Sequence, residues 1–594
     1  MEYLPLYLKA VLALFVIFVL PGLLLVRVLK IDQLPLRWFA IFLGSLAVNH
    51  LAVITIAVLG VKPTTFYGSL VACFVAALIV LEVRRPNFVS VASEARSSDV
   101  FWLLFSAIAI AATYSDVWQH GLPAAFDDGD VSINWNGRWT LAWAGGHFPV
   151  GSGGYPQFVP TIWAVAYLVT GSQLHYFAFY CYVILITAPL ALNAMILGRL
   201  RWWLPLVQFS VFAWFVIGTA DPDWRAVLWE AYPDWVVVVF SFTGVTAFLS
   251  QQPPLQRSFG ILLLALCLEC VAAASKPIFG LFVVAFALAI CVDALRHVED
   301  RKLRICVVLS VIGLVSLFAA AYWITLTHIG YYGVAEYYNP VWRERLVHAW
   351  QIFNAAFSLP FGILCLFGLF LSPLLPRARW LTLPLLAGVW IWADRASYDL
   401  RNGAALFLIA AVIPADALVR RCLKGDVAAF GRRRMLKDVV GAICALVALI
   451  FFSLPMAKED SRLEAQFADE QLQLGPGRAH NEALASALRA GCTVFSATYY
   501  PTRILSLQPY ESQIHLFYRS LPIGSDDSGT EREAVRAYAE DLRRDFENVK
   551  GCATVIFPPK AMRASALTFL EGYFMRHNFR KAVDANGWQL WSSD

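Results

Sequence analysis

Long apolar runs, broken by short polar or basic stretches, repeat along roughly the first three quarters of the chain. A run of about 18 residues or more is long enough to cross a bilayer as a helix. The pattern predicts an α-helical polytopic membrane protein with about fourteen spans: residues 5–27, 36–60, 66–83, 100–115, 174–198, 202–218, 234–250, 259–275, 277–296, 304–326, 358–374, 379–393, 404–420 and 437–455. After Leu454 the pattern changes, and roughly a quarter of the residues are charged, as in soluble domains. Cys492–Tyr499, Ala553–Phe557 and Gly587–Trp591 read as strands, and Thr530–Val549 and Ala561–Arg576 as amphipathic helices. The expected organisation is N-terminal transmembrane helices over 1–99, a transmembrane core over 100–455, and an extracytoplasmic α/β domain over 456–594.

Basic residues set the expected orientation. Arg27, Lys30 and Arg37 follow the first span; Arg84, Arg85 and Arg96 the third; Arg199 and Arg201 the fifth. Arg296, Arg301, Lys302 and Arg304 follow the ninth, and Arg420, Arg421, Lys424, Arg432, Arg433, Arg434 and Lys437 the thirteenth. All five groups fall on one side, which is therefore expected to be cytoplasmic. Both termini and three long loops, 116–173, 219–233 and 327–357, then lie on the outer side of a cytoplasmic (inner) membrane. Within the first loop, Thr161–Thr170 is apolar but too short to span, and is expected to lie at or dip into the outer interface.

Composition agrees with this picture. The chain is 59% hydrophobic and only 15% charged, which excludes a water-soluble enzyme, a disordered chain and a disulfide-rich secreted scaffold. The net charge of +5 reflects loop topology rather than a nucleic-acid footprint, so no nucleic-acid partner is expected. Most cysteines lie in apolar stretches as small hydrophobes, and Cys267 and Cys270 form a CxxC only inside such a run. Cys492 and Cys552 open the two best strands of the C-terminal segment, where pairing in an oxidising compartment and two separate core cysteines are both open readings.

Candidate chemistry gathers in the outer loops. Phe126-Asp127-Asp128-Gly129-Asp130 packs three carboxylates into four residues after an apolar span. Mutual repulsion raises the proton affinity of one of them unless a cation is close, so the set suits a general base or a metal site; a solvated acidic turn is the competing reading. Trp135, Asn136, Arg138, Trp139 and Tyr155 follow, groups suited to gripping a sugar or lipid headgroup. The second loop carries Asp221, Asp223, Glu230 and Asp234 among tryptophans, which also reads as a solvated turn with interfacial tryptophans, and the third is aromatic and basic, with Tyr338 among its tyrosines. Lys276 is hemmed between two apolar spans, where a charge is costly and is retained for a reason, either a phosphate partner or snorkelling to the interface. Glu269 inside the preceding span is two turns away, so contact with Lys276 requires a break in the helix. Arg395 and Arg401 stand on the side that disfavours basic residues; phosphate binding or internal pairing with Asp394 and Asp399 accounts for them. No Walker A motif and no dinucleotide fingerprint occur. A lipid-phosphate-linked sugar fits these groups: phosphate on Lys and Arg, sugar on Trp and Tyr, and a carboxylate to deprotonate an acceptor hydroxyl.

The pattern resembles the GT-C superfamily of polytopic membrane glycosyltransferases, which includes protein O-mannosyltransferases and the aminoarabinose transferase acting on lipid A. The resemblance is carried by the acidic motif Asp127, Asp128 and Asp130 in the first large outer loop, then Trp135-Asn136, Gly146, Pro149 and Tyr155-Pro156. It covers about residues 100–455. It implies an inverting, metal-independent transfer from a polyprenyl-phosphate sugar to a hydroxyl of a lipid, glycan or protein. Asp130 is the first choice for the base and Asp128 the second, while Lys276 and Arg401 match the residues that contact the donor phosphate. No cofactor is expected; in the alternative, Asp128 and Asp221 hold a divalent cation such as Mg or Mn. The chain departs from the family in having Asp-Asp-Gly-Asp for the usual Asp-Glu, Arg401-Asn402 for Arg-Tyr, and three additional early spans. A polymerase or ligase using diphosphate-linked glycans, a transporter or flippase, and a non-catalytic scaffold are the rival readings.

Overall fold

The computed structural model describes residues 4–29, 31, 33–84, 97–114, 131–149, 157–171, 175–219, 232–251, 259–329, 342–396, 400–422, 478–496, 514–516, 552–557, 571–585 and 588–593. The chain divides into two units, Met1–Ala457 and Lys458–Asp594.

The first unit is helical. A helix stands at each expected span from 5–27 to 404–420; the expected span 437–455 lies outside the described residues. Seven of the described helices are long and apolar enough to cross a membrane, and shorter apolar helices accompany them. The first expected span is two helices, α1 (Leu4–Phe18) and α2 (Leu20–Leu29). The cause is Pro21, which has no N–H to give the carbonyl of Ile17. Asn49, on α3 (Leu34–Leu59), supplies the missing donor, with Nδ2 at 2.9 Å from that carbonyl. The amide of Gly22 in turn donates to Ser45 Oγ at 2.8 Å. In an apolar medium such substitutions are required, because no water completes a broken helix. α3 ends at Gly60, in the left-handed conformation (φ 60°) that favours glycine. The segments α4 (Pro63–Arg84) and α5 (Ser97–Thr113) follow.

A wide π-helix, Val131–Thr140, runs into the short α6 (Leu141–Ala144). Next comes α7 (Phe158–Thr170), the stretch expected at the interface. α7 is buried at nearly every position and packs against α1, α3 and α8 (His175–Leu200), so neighbouring helices cover it. Its apolar residues lie all round the helix, which suits an interior site and not a surface. Thr161 Oγ1 lies 2.7 Å from His50 Nδ1 of α3.

After α9 (Leu204–Gly218), the helix α10 (Pro233–Ser250) is the axis of the unit, with every residue buried. α11 (Phe259–Ala273) packs along it, followed by α12 (Gly280–His297), α13 (Arg301–Ile329), α14 (Trp342–Ala356), α15 (Leu359–Leu371), α16 (Arg379–Arg395) and α17 (Ala404–Cys422). At roughly 1.5 Å per residue, the 18 residues of α10 separate its two ends by about 27 Å. Ion pairs collect at both ends. Beyond its C-terminal end, Arg377 pairs with Asp293 and donates to the carbonyl of Gln251, and Arg420 pairs with Asp416 and donates to that of Leu249. Arg201 and Arg420, from two of the basic groups expected on one side, both lie over the Trp203 ring, at 5.8 and 5.9 Å. Between the ends Thr246 and Ser241 of α10 meet polar partners, while Thr243 Oγ1 is buried without a hydrogen-bond partner among the described residues. Thr246 Oγ1 and Gln208 Oε1 accept from Asn193 Nδ2 at 2.9 and 2.7 Å, and Ser241 Oγ donates to the Glu269 carboxyl at 2.8 Å.

In the second unit, α18 (Arg478–Arg489) accompanies a five-stranded sheet of order β2-β1-β3-β5-β4. β1 (Thr493–Ser496) runs parallel to β2 (Ile514–Leu516) and β3 (Ala553–Phe557). β5 (Trp588–Ser593) is antiparallel to β3 and to β4 (Phe579–Ala585). Thr493 pairs with Ala553, so the residues just before them, Cys492 and Cys552, face each other and form a disulfide. The expected helix Thr530–Val549 lies outside the described residues.

Candidate functional site

The site forms at the N-terminal end of α10. Pro233 occupies the first turn, where its missing N–H costs nothing, and Asp234 follows it, a carboxylate favoured beside the positive end of the helix. The Asp234 side chain is 5% exposed. It would be unstable there alone, since a buried charge needs a partner. Lys276 is that partner and forms an ion pair with it.

Lys276 is placed by the residue after it. A residue before proline is pushed out of the helical region into extended backbone, and Lys276 has φ −148° and ψ 119° ahead of Pro277. The helix α11 therefore stops at Ala273, and the lysine is the extended hinge before a 3-10 turn, Pro277–Phe279. Its ammonium also donates to the carbonyl of Arg401 at 3.2 Å and to Asn402 Oδ1 at 2.8 Å. Both belong to a 3-10 turn, Leu400–Asn402, that leads into α17 and is closed by Gly403 N donating to the Leu400 carbonyl at 2.9 Å. Asn402 is held in turn by its Nδ2 donating to the carbonyl of Ala396 at 3.3 Å. The Arg401 guanidinium lies over the ring of Tyr232, 4.6 Å from its centroid. Three connections far apart in sequence thus bring two cations, one carboxylate, an amide and an aromatic face together. Partly buried cations held by backbone turns are groups of the kind that bind anions.

Lys276 and Arg401, singled out in the sequence for a phosphate, are brought together. Arg395 is drawn elsewhere: it is 63% exposed and pairs with Asp394 at 2.9 Å, whose other oxygen takes Arg345 at 2.6 Å. Glu269 does not pair with Lys276; its oxygens take Ser241, and the helix between the two residues is unbroken up to Ala273. Trp135, Asn136 and Trp139 are buried in the core on the π-helix. The two indoles meet edge to face with centroids 4.5 Å apart, and Asn136 Oδ1 accepts from the Tyr167 hydroxyl at 2.7 Å. Arg138 lies on the same π-helix, its side chain outside the description. Asp127, Asp128, Asp130, Tyr155, Asp221, Asp223 and Tyr338 lie outside the described residues. Among the described residues, no three His, Cys, Asp or Glu side chains gather as a metal site.

Sequence reading named Asp234 only among the carboxylates of the second outer loop and Asn402 only as the neighbour of Arg401, giving neither a role, and it did not name Tyr232. The signal for Asp234 was present in the alternation of spans. It begins a span that enters from the same side as the connection carrying Lys276, so a carboxylate and a lysine face each other across neighbouring helix ends.

No family model matches the chain, and no curated protein sequence matches it. Among solved structures it is similar to the crystal structure of ArnT from Cupriavidus metallidurans in the apo state, with 11% sequence identity and a TM-score of 0.45, over 84% of this chain and 98% of that one. At that identity and score the likeness carries neither chemistry nor mechanism, which rest on the residues themselves.

Proposed function

We propose that this chain is a membrane glycosyltransferase that moves a sugar from a polyprenyl-phosphate donor to an acceptor hydroxyl. The observation that carries the reading is that Lys276 reaches the turn of Arg401, 125 residues away, and donates to its backbone carbonyl at one end of an apolar helix bundle. A phosphate whose lipid tail stays in the bilayer reaches that level of the bundle without leaving the membrane. As the sugar–phosphate bond breaks, negative charge grows on the leaving phosphate, and cations fixed in place stabilise it there more than in the ground state. Asp130 takes the proton of the acceptor hydroxyl as it attacks the anomeric carbon from the opposite face, so the configuration inverts. The acidic segment ends where the π-helix begins, on the connection between α5 and α7. Asp128 supports the acceptor. No metal is required on this reading; in the alternative, Asp128 and Asp221 hold Mg or Mn.

The five basic groups support an orientation in which this end faces away from the cytoplasm of the inner membrane. The Cys492–Cys552 disulfide supports the same side for the C-terminal unit, since disulfides persist in oxidising compartments. That unit then recognises a cell-envelope acceptor or a partner.

The test is turnover in proteoliposomes with a panel of radiolabelled polyprenyl-phosphate sugars, following release of free polyprenyl phosphate with and without EDTA. Turnover that resists EDTA and is lost in Asp130→Asn supports the class and the base. Loss with EDTA moves the role of Asp128 and Asp221 to metal binding. No turnover with any donor, acceptor extracts included, favours the diphosphate-glycan or transport readings.

A further inference from the structure

An ammonium group has three protons to donate. Lys276 spends them on three acceptors: the carboxylate of Asp234, the carbonyl of Arg401 and Oδ1 of Asn402. No donor is left over for a ligand. An anion that binds Lys276 must therefore take the place of one acceptor. The Arg401 carbonyl is fixed in the backbone of the 3-10 turn, and Asn402 is tied by its own amide to Ala396. Asp234 is the one acceptor whose charge an incoming phosphate reproduces. Exchanging it leaves Lys276 neutralised and the two neutral acceptors undisturbed, and the released carboxylate, buried and beside another anion, takes up a proton.

We infer that Asp234 is a resident anion: it occupies the phosphate position on Lys276 when no donor is bound, and the donor phosphate displaces it. The inference rests on the phosphate reading of Lys276 given above. Two physical consequences follow. The unliganded site never holds a bare cation at the edge of the apolar bundle, a state that would cost several times the price of an exposed charge. The resident carboxylate also sets a threshold, because neutral headgroups and weakly charged ligands gain nothing by replacing it. Phosphate does, since it brings more charge to the lysine. The pair thus selects anionic headgroups over the zwitterionic lipids that surround the protein. The Arg401 guanidinium lies over the ring of Tyr232, two residues before Asp234.

The experiment measures binding of farnesyl phosphate to the full-length chain in detergent, with farnesol as the tail-only control and inorganic phosphate as the headgroup-only control. Removing the competitor in Asp234→Asn tightens farnesyl phosphate by about tenfold or more, since an unpaired half-buried lysine gains most from a new anion. Asp234→Glu keeps the competitor and stays near the wild-type affinity. Lys276→Ala abolishes the phosphate-dependent part. Binding that depends on Lys276 but is unchanged or weakened in Asp234→Asn overturns this inference alone. Binding indifferent to Lys276→Ala overturns both the inference and the phosphate reading. Where Asp234→Asn does not fold, infrared difference spectra of the wild-type chain labelled with ¹³C-aspartate decide: a carboxylate band that shifts on adding farnesyl phosphate, and not on adding farnesol, supports displacement, and unchanged bands refute it.

Discussion

Gly403 follows the turn that carries Arg401 and Asn402, and a single methyl group there tests whether that turn is rigid. A Cβ at this position would lie 2.7 Å from two atoms of the Trp392 ring and 2.8 Å from its Nε1. Such separations are far inside contact distance, so something must move. The indole has little room: it is 2% exposed and stands edge-on to Phe407 at 5.0 Å. Overpacking of this kind costs roughly 1–3 kcal/mol. The strain is expected to fall on the turn, which is three residues long, whereas Trp392 is held within a 17-residue helix. Moving it shifts the Arg401 carbonyl and Asn402 Oδ1 away from Lys276, and the guanidinium away from Tyr232. Gly403→Ala is therefore expected to lower stability by roughly 1–3 kcal/mol in a detergent denaturation series and to weaken farnesyl phosphate at least about tenfold, or ~1.4 kcal/mol. Gly313→Ala is the control: a Cβ at Gly313 meets nothing within 4 Å, and neither quantity should move beyond about 1 kcal/mol, the propensity term. A Gly403→Ala protein with wild-type stability and affinity would show that the indole yields and that the turn does not position the cations.

Two further predictions concern groups outside the cation cluster. Glu269→Ala leaves the buried Ser241 hydroxyl without its carboxyl partner and is expected to cost roughly 1–3 kcal/mol, whereas Glu269→Gln keeps an acceptor oxygen and stays within about 1 kcal/mol of wild type; equal damage from both would mean that the acid itself is needed. The disulfide closes a separation of 60 residues, for which loop-closure entropy gives up to about 4 kcal/mol. Reduction of the full-length chain should therefore speed proteolysis within 458–594 and leave the helical unit intact, and free thiols at both positions in freshly purified protein would refute the pairing.

Much of the helical layout was legible because an apolar run has one solution in a bilayer: a helix that satisfies its own backbone. Where that logic was incomplete, a specific interaction intervened. The run 5–27 reads as one helix until Asn49 and Ser45, about thirty residues away, are seen to service the break at Pro21. Thr161–Thr170 reads as interfacial because its length forbids a span, and nothing local reveals that neighbouring helices cover it. In the C-terminal unit β1, β3 and β5 are visible as β-branched or aromatic runs. β2 is three residues long, and β4, Phe-Arg-Lys-Ala-Val-Asp-Ala, carries too much charge to announce itself. For the site, Lys276 stood out because a charge between two apolar spans is rare, and its pairing with Arg401 depended on how two helix connections meet. Arg395 and Arg401 are six residues apart and look alike in sequence; only the fold sends one to Asp394 and sets the other beside Lys276. The indoles of Trp135 and Trp139 illustrate the opposite ambiguity, since the same residue types grip sugars and fill cores.

The two ends of α10 carry ion pairs of different make-up. At its C-terminal end Arg377 pairs with Asp293 and Arg420 with Asp416, and each arginine also donates to a backbone carbonyl. Arg199 pairs with Asp99. Such pairs fasten helix ends. At the other end Lys276 pairs with Asp234 and takes two neutral acceptors from one turn, while Arg345 and Arg395 share Asp394. On the proposed orientation these cations lie on the side where membrane proteins tend to shed lysine and arginine. A lipid-borne phosphate arrives at that depth by lateral diffusion, held there by its own tail. Lys276 is then kept for the step in which charge grows on a departing phosphate, and Asp234 is the residue that neutralises it between turnovers.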